Sequence, residues 1–68
     1  MSRFMRQIVA RAQDSQILNK LPEEQIIELA QIVYSENEAF DGEEVSPEHM
    51  VKLMETRYQL LGLIPSRN

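Results

Sequence analysis

Cysteine is absent from this 68-residue chain. That excludes disulfide staples, thiol nucleophiles and thiolate-bound metal. There is a single histidine, His49, so the Cys/His clusters that build zinc sites are missing too. Glycine is scarce, with only Gly42 and Gly62. Neither a glycine-rich phosphate loop nor a Gly-x-Ser-x-Gly nucleophile turn can be written from two glycines so placed. No apolar stretch approaches the roughly 18 residues that a membrane-spanning helix needs. The start, Met1-Ser2-Arg3-Phe4-Met5-Arg6, lacks the apolar run and small-residue cleavage site of a secretory leader. These absences predict a cytoplasmic, non-enzymatic protein with no cofactor and no metal.

Hydrophobic residues make up 43% of the chain, enough for a core and too many for a disordered tail. So short a chain buries only about 60% of the surface its unfolded form exposes. With disulfides and metals set aside, association is the remaining way to reinforce a thin core. The charge balance is 7 Lys+Arg against 11 Asp+Glu, a net of −4. An acidic balance disfavours nucleic acid, whose binding depends on a cationic face that releases counterions. The charges are also segregated: residues 1–20 hold four basic groups and one acid, whereas residues 21–49 hold nine acids and no Lys or Arg. Opposed segments of this kind favour an antiparallel packing of the first helix on the second.

The hydrophobic spacing predicts an all-α chain: one small three-helix domain over 1–68, with helices at roughly 2–20, 22–38 and 47–61, a long acidic loop between the second and third, and a short tail from 62 to 68. In the first, Met1, Met5, Ile8, Val9 and Ala12 share a face opposite Arg3, Arg6, Ala10 and Asp14. Asp14-Ser15 interrupts the pattern, and the reading favours one bent helix with a weak point there over two separate segments. Pro22 suits the first position of the second helix, followed by Glu23 and Glu24 at the positive end of its dipole. Ile26, Ile27, Leu29, Ala30, Ile32, Val33 and Tyr34 cover more than half of that helix. Such an arc predicts a central helix, or one partly covered by another molecule. The third helix opens with Ser46 as N-cap, Pro47 at its first position and Val45 stapled to Met50. Val51, Met54, Tyr58 and Leu61 form its core seam, with Leu53 and Leu60 on a second stripe and Arg57 between the two. Gly62 is expected in the left-handed position that ends the helix, with Leu63 touching Tyr58.

Residues 37–48 invite a calcium reading, with Asn37, Ala39 and Asp41 at loop positions 1, 3 and 5, Gly42 at position 6 and Glu48 at position 12. The segment looks a little like an EF-hand loop, but position 1 is not Asp, Ala39 cannot ligate, and Val45 is out of register. A solvated acidic loop turned by Asp41-Gly42 explains it better. His49 reads as a surface residue in the first turn of the third helix.

What remains is surplus apolar surface, and such patches mark partner sites. The expected function is protein–protein interaction, as an adaptor, inhibitor or assembly subunit. The partner-binding residues are Ile27, Ile32, Tyr34, Leu53 and Leu60, with Glu36, Glu38, Asp41, Glu43 and Glu44 steering a basic partner. Two alternatives accompany this reading. One is a small DNA-binding or transcription-control module using Arg3, Arg6, Arg11, Lys52 and Arg57. The other is a structural homo-oligomer, most simply a homodimer. Membrane surfaces are not expected as partners, because the first helix has only Phe4 as an aromatic anchor.

Overall fold

A computed structural model describes residues 2–37 and 45–63 of the chain. They form three helices, α1 (Arg3–Gln13), α2 (Glu23–Glu36) and α3 (Pro47–Leu61), and no strand occurs among them. Each helix touches both others, so the arrangement is a small all-α bundle around one core. That core consists of Ile8, Val9, Ala12 and Leu18, then Ile26, Leu29, Ala30 and Val33, then Met50, Val51 and Met54.

Helix α1 starts where Ser2 caps it, its Oγ accepting the Met5 N–H at 3.1 Å. The expected continuation to residue 20 is not what forms, because α1 ends at Gln13. Ser15 is the cause: its Oγ accepts from the N–H groups of Ile17 and Leu18, both at 3.1 Å. A hydroxyl that occupies those donors gives the backbone an alternative to the helical ladder. A separate turn follows, with Asn19 N–H on the Ser15 carbonyl at 2.9 Å and Leu21 N–H on Leu18 at 3.0 Å. The break serves packing. In an unbroken helix Leu18 would point roughly 120° away from the Ile8–Val9–Ala12 face. Turned at Ser15, it is fully buried instead.

Helix α2 starts one residue later than expected. Pro22 is its N-cap, in extended conformation, and its carbonyl accepts from Gln25 and Ile26. Having no hydroxyl, proline leaves the start without a side-chain cap, and Glu23 and Glu24 in the first turn supply the favourable charge. At the far end Asn37 donates to the Val33 carbonyl through both its backbone N–H (3.1 Å) and its Nδ2 (2.7 Å). The broad apolar arc divides three ways: Ile26, Leu29, Ala30 and Val33 are buried, Ile27 and Ile32 are half-buried on opposite shoulders, and Tyr34 is exposed.

Helix α3 begins as its sequence indicates, with Ser46 Oγ accepting the His49 N–H at 3.1 Å and Pro47 in the first turn. Val45 packs against the core that contains Met50. The buried seam is Met50, Val51, Met54 and Arg57, which differs from the expected one. Tyr58 is half-buried, and Leu61 is 52% exposed because it lies in the last turn, where the bundle runs out. Gly62 ends the helix with φ 64° and ψ −140°. Its φ has the positive sign expected, but that ψ lies far from the left-handed helical region, so the exit is not the expected cap.

Candidate protein-docking surface

Two polar side chains are buried among the described residues, Ser15 and Arg57, and both are fully engaged. Ser15 accepts twice, as above, and donates its own proton to Glu55 Oε2 at 2.6 Å. Its whole hydrogen-bonding inventory is thereby used, and the α1 exit is tied to α3. Arg57, 8% exposed, donates through Nε to Glu36 Oε1 at 2.8 Å and through Nη2 to Glu36 Oε2 at 3.0 Å. A third bond runs from Nη1 to the Gly62 carbonyl at 3.2 Å. Hydrogen bonding to Glu36 raises the Arg57 pKa above its ordinary value; burial opposes this, and the Glu36 charge adds to it. Both residues are internal structural ties.

This placement redistributes the expected docking residues. Glu36 lies at the open end of α2, yet its side chain folds back onto Arg57 and is only 23% exposed. Its carboxylate is thus held within the chain. Glu38, Asp41, Glu43 and Glu44 lie outside the described residues, as do Met1 and residues 64–68. Ile32 precedes Glu36 by one helical turn, and Leu53 precedes Arg57 by one turn, so the α2/α3 stripe runs beside the ion pair. Leu53 is half-buried and packs on the core. Leu60 is 74% exposed. The five apolar candidates therefore do not form one stripe.

Ile27 and Tyr34 lie on the opposite shoulder of α2, beside α1, where a larger feature is found. An apolar groove of about 310 Å³ opens between the two helices, with Met50 of α3 reaching it from below. Phe4, Met5 and Ile8 line one wall; Ala30, Gln31 and Tyr34 line the other. A shallower extension adds Ser2 and Ile27. Tyr34 stands at the rim, 56% exposed. Sequence reasoning assigned Phe4, Met5 and Ile8 to the core of α1, because a helical wheel shows which face is apolar but not where two helices diverge.

The charges around this groove are sorted. Helix α1 carries Arg3, Arg6 and Arg11 and no acid; α2 carries Glu23, Glu24, Glu28 and Glu36 and no base. The two helices do not use these charges on each other in the way the antiparallel expectation implied. Arg11 pairs with Glu48 of α3 at 3.8 Å, and Glu36 with Arg57 of α3. Arg3, Arg6, Glu24 and Glu28 all stand exposed.

Among the described residues no three His, Cys, Asp or Glu side chains converge to hold a metal ion, and no helix is long and apolar enough to cross a membrane. In comparisons with protein-family models, with curated proteins and with solved structures, the chain matches none. A functional reading must therefore come from the surface itself.

Proposed function

We propose that this chain is a non-enzymatic protein-interaction module whose docking surface is the groove between α1 and α2. The observation that carries this reading is the groove of about 310 Å³ lined by Phe4, Met5, Ile8, Ala30 and Tyr34, with an aromatic residue at its rim. Aromatic and methionine side chains are enriched at the buried centres of protein interfaces, and methionine adapts its shape to what it meets. The α2/α3 stripe is the weaker candidate. Leu53 is committed to the core there, and the Glu36–Arg57 pair stands between the rows.

The DNA-binding alternative needs Arg3, Arg6, Arg11, Lys52 and Arg57 on one cationic face. Arg57 is buried against Glu36, and Arg11 pairs with Glu48, which leaves three of the five. That loss counts against it, since each phosphate contact requires an accessible cation.

The test is site-specific photo-crosslinking in the producing cell. A benzophenone side chain replaces Tyr34 at the groove rim, or Gln13 on the exposed side of α1 as control. Discrete protein adducts from position 34, absent from position 13 and lost when Met5→Asp is added, are the expected result. An absence of adducts from position 34 removes the groove as a docking surface.

A further inference from the structure

We infer that the occupant of the groove is a second copy of this chain, related to the first by a two-fold axis running along the groove. This rests on the reading of the groove as a docking surface and adds the partner's identity and orientation. Two identical grooves can meet face to face about a two-fold axis lying in the interface in two limiting ways. An axis across the groove sets α1 against α1 and α2 against α2. An axis along it sets each α1 against the α2 of the other copy.

The charges choose between them. The first arrangement opposes Arg3 and Arg6 to the same residues, and Glu24 and Glu28 to the same residues; like charges so placed repel. The second opposes Arg3 and Arg6 of each copy to Glu24 and Glu28 of the other. These four residues are exposed on the two helices that wall the groove, and α1 has no acid while α2 has no base. One surface is thus complementary to itself, which is what an isologous dimer requires. Rotation about an axis along the groove also preserves position along it. Tyr34 and Phe4 line the same cavity. Tyr34 of each copy consequently faces Phe4 and Met5 of the other, which seats the exposed ring on apolar side chains.

Size is compatible. A standard interface buries about 800 Å² per partner, roughly a sixth of the 4984 Å² surface of this chain. One of the three faces of a three-helix bundle can supply that area. A chain of this length also gains stability from association that its own core is poorly placed to provide.

The test uses sedimentation equilibrium on the full chain and on two single variants, Arg6→Glu and Glu28→Arg. Both positions are exposed, so helicity by circular dichroism should be unchanged. The wild type is expected to be a dimer at micromolar concentration, and each variant should self-associate about tenfold more weakly. An equimolar mixture of the two should recover the wild-type mass, because the variants pair α1 and α2 of opposite sign at both contacts. A monomer up to about 1 mM overturns the inference, that being the weak end of the affinity range. So does a dimer indifferent to both reversals, or a mixture that fails to recover. The docking reading survives the first of these if Tyr34 crosslinks to a protein of a different mass. It falls with the dimer if position 34 gives no adduct at all.

Discussion

Arg57 and Glu36, twenty-one positions apart, meet as a fork: Nε on Oε1 at 2.8 Å and Nη2 on Oε2 at 3.0 Å, with the guanidinium held inside the α2/α3 contact. The Gly62 carbonyl takes a further proton from the same group, so the end of α2, the last turns of α3 and the helix exit share one cation. Removing one partner of a buried pair leaves an uncompensated charge, whereas replacing both with apolar groups can be nearly neutral. Glu36→Ala is therefore expected to cost about 2 kcal/mol, less than a fully buried pair because the Glu36 side chain keeps 23% of its surface exposed. The double variant Glu36→Leu/Arg57→Met should cost clearly less than the sum of the single changes. Urea unfolding of the four proteins measures this coupling, and additive costs would rule out the tie. The pair raises the Arg57 pKa, so its contribution is complete below the ordinary arginine value and is lost only as pH climbs through the higher folded value. Between pH 6 and 9 Arg57 itself should add no pH dependence to stability.

Ser15 gives the second prediction. Its hydroxyl accepts from two N–H groups and donates to Glu55, so Ser15→Ala strips three bonds at a buried position. A lost cap costs about 1 kcal/mol, and an orphaned buried N–H adds about 1–3. The expected loss is about 2–3 kcal/mol. Ser2→Ala and Ser46→Ala each remove one exposed cap bond and should cost under about 1 kcal/mol. Thermal unfolding of the three variants side by side provides the check. Equal losses would mean that the bond to Glu55 contributes nothing.

The helices and the start of α3 were legible because they are local: apolar spacing, Ser46-Pro47 and acids in the first turns all act within a few residues. The end of α1 was legible too, and was read wrongly. Asp14-Ser15 was recognised as a weak point, but the continuous helix was favoured. The phase of Leu18, roughly 120° from the Ile8–Val9–Ala12 face, was the signal that decides it. Arg57 was placed between two faces of α3, and nothing in its own segment says that Glu36 will meet it there. Only the juxtaposition of α2 and α3 makes burial of that charge affordable. The groove is tertiary in the same sense, since it depends on the gap between α1 and α2. Of the expected docking residues, Tyr34 and Ile27 do line it and its extension, while Ile32, Leu53 and Leu60 lie elsewhere.

The two leucines of the second α3 stripe should behave differently. Leu53 packs against the core and Leu60 is 74% exposed. Leu53→Asp drives a charge into partly buried apolar surroundings and is expected to cost about 2–3 kcal/mol. Leu60→Asp should change stability by less than about 0.5 kcal/mol, as surface substitutions do. Chemical denaturation distinguishes them directly. A harmless Leu53→Asp would show that its half-buried side chain adds little to the fold and would reopen the α2/α3 stripe as a docking surface.

Gly62 supplies a case in which open space does not imply tolerance. A Cβ built there meets nothing within 4 Å, yet φ is 64° and ψ is −140°. Residues with side chains pay about 1–3 kcal/mol in such regions, so Gly62→Ala should destabilise by about that amount through backbone strain alone. Asparagine discriminates between two kinds of helix exit. At a left-handed helical cap it is the usual substitute for glycine, but ψ here lies outside that well. Gly62→Asn is therefore expected to be no better than Gly62→Ala; a clear rescue by Asn would mean that the exit relaxes to an ordinary cap. The strain also has a structural consequence. The Gly62 carbonyl accepts from Arg57 Nη1 at 3.2 Å, and this ψ sets where that oxygen points. A double-mutant cycle between Gly62→Ala and Arg57→Met should accordingly show coupling, with the double variant less damaged than the two single losses added together.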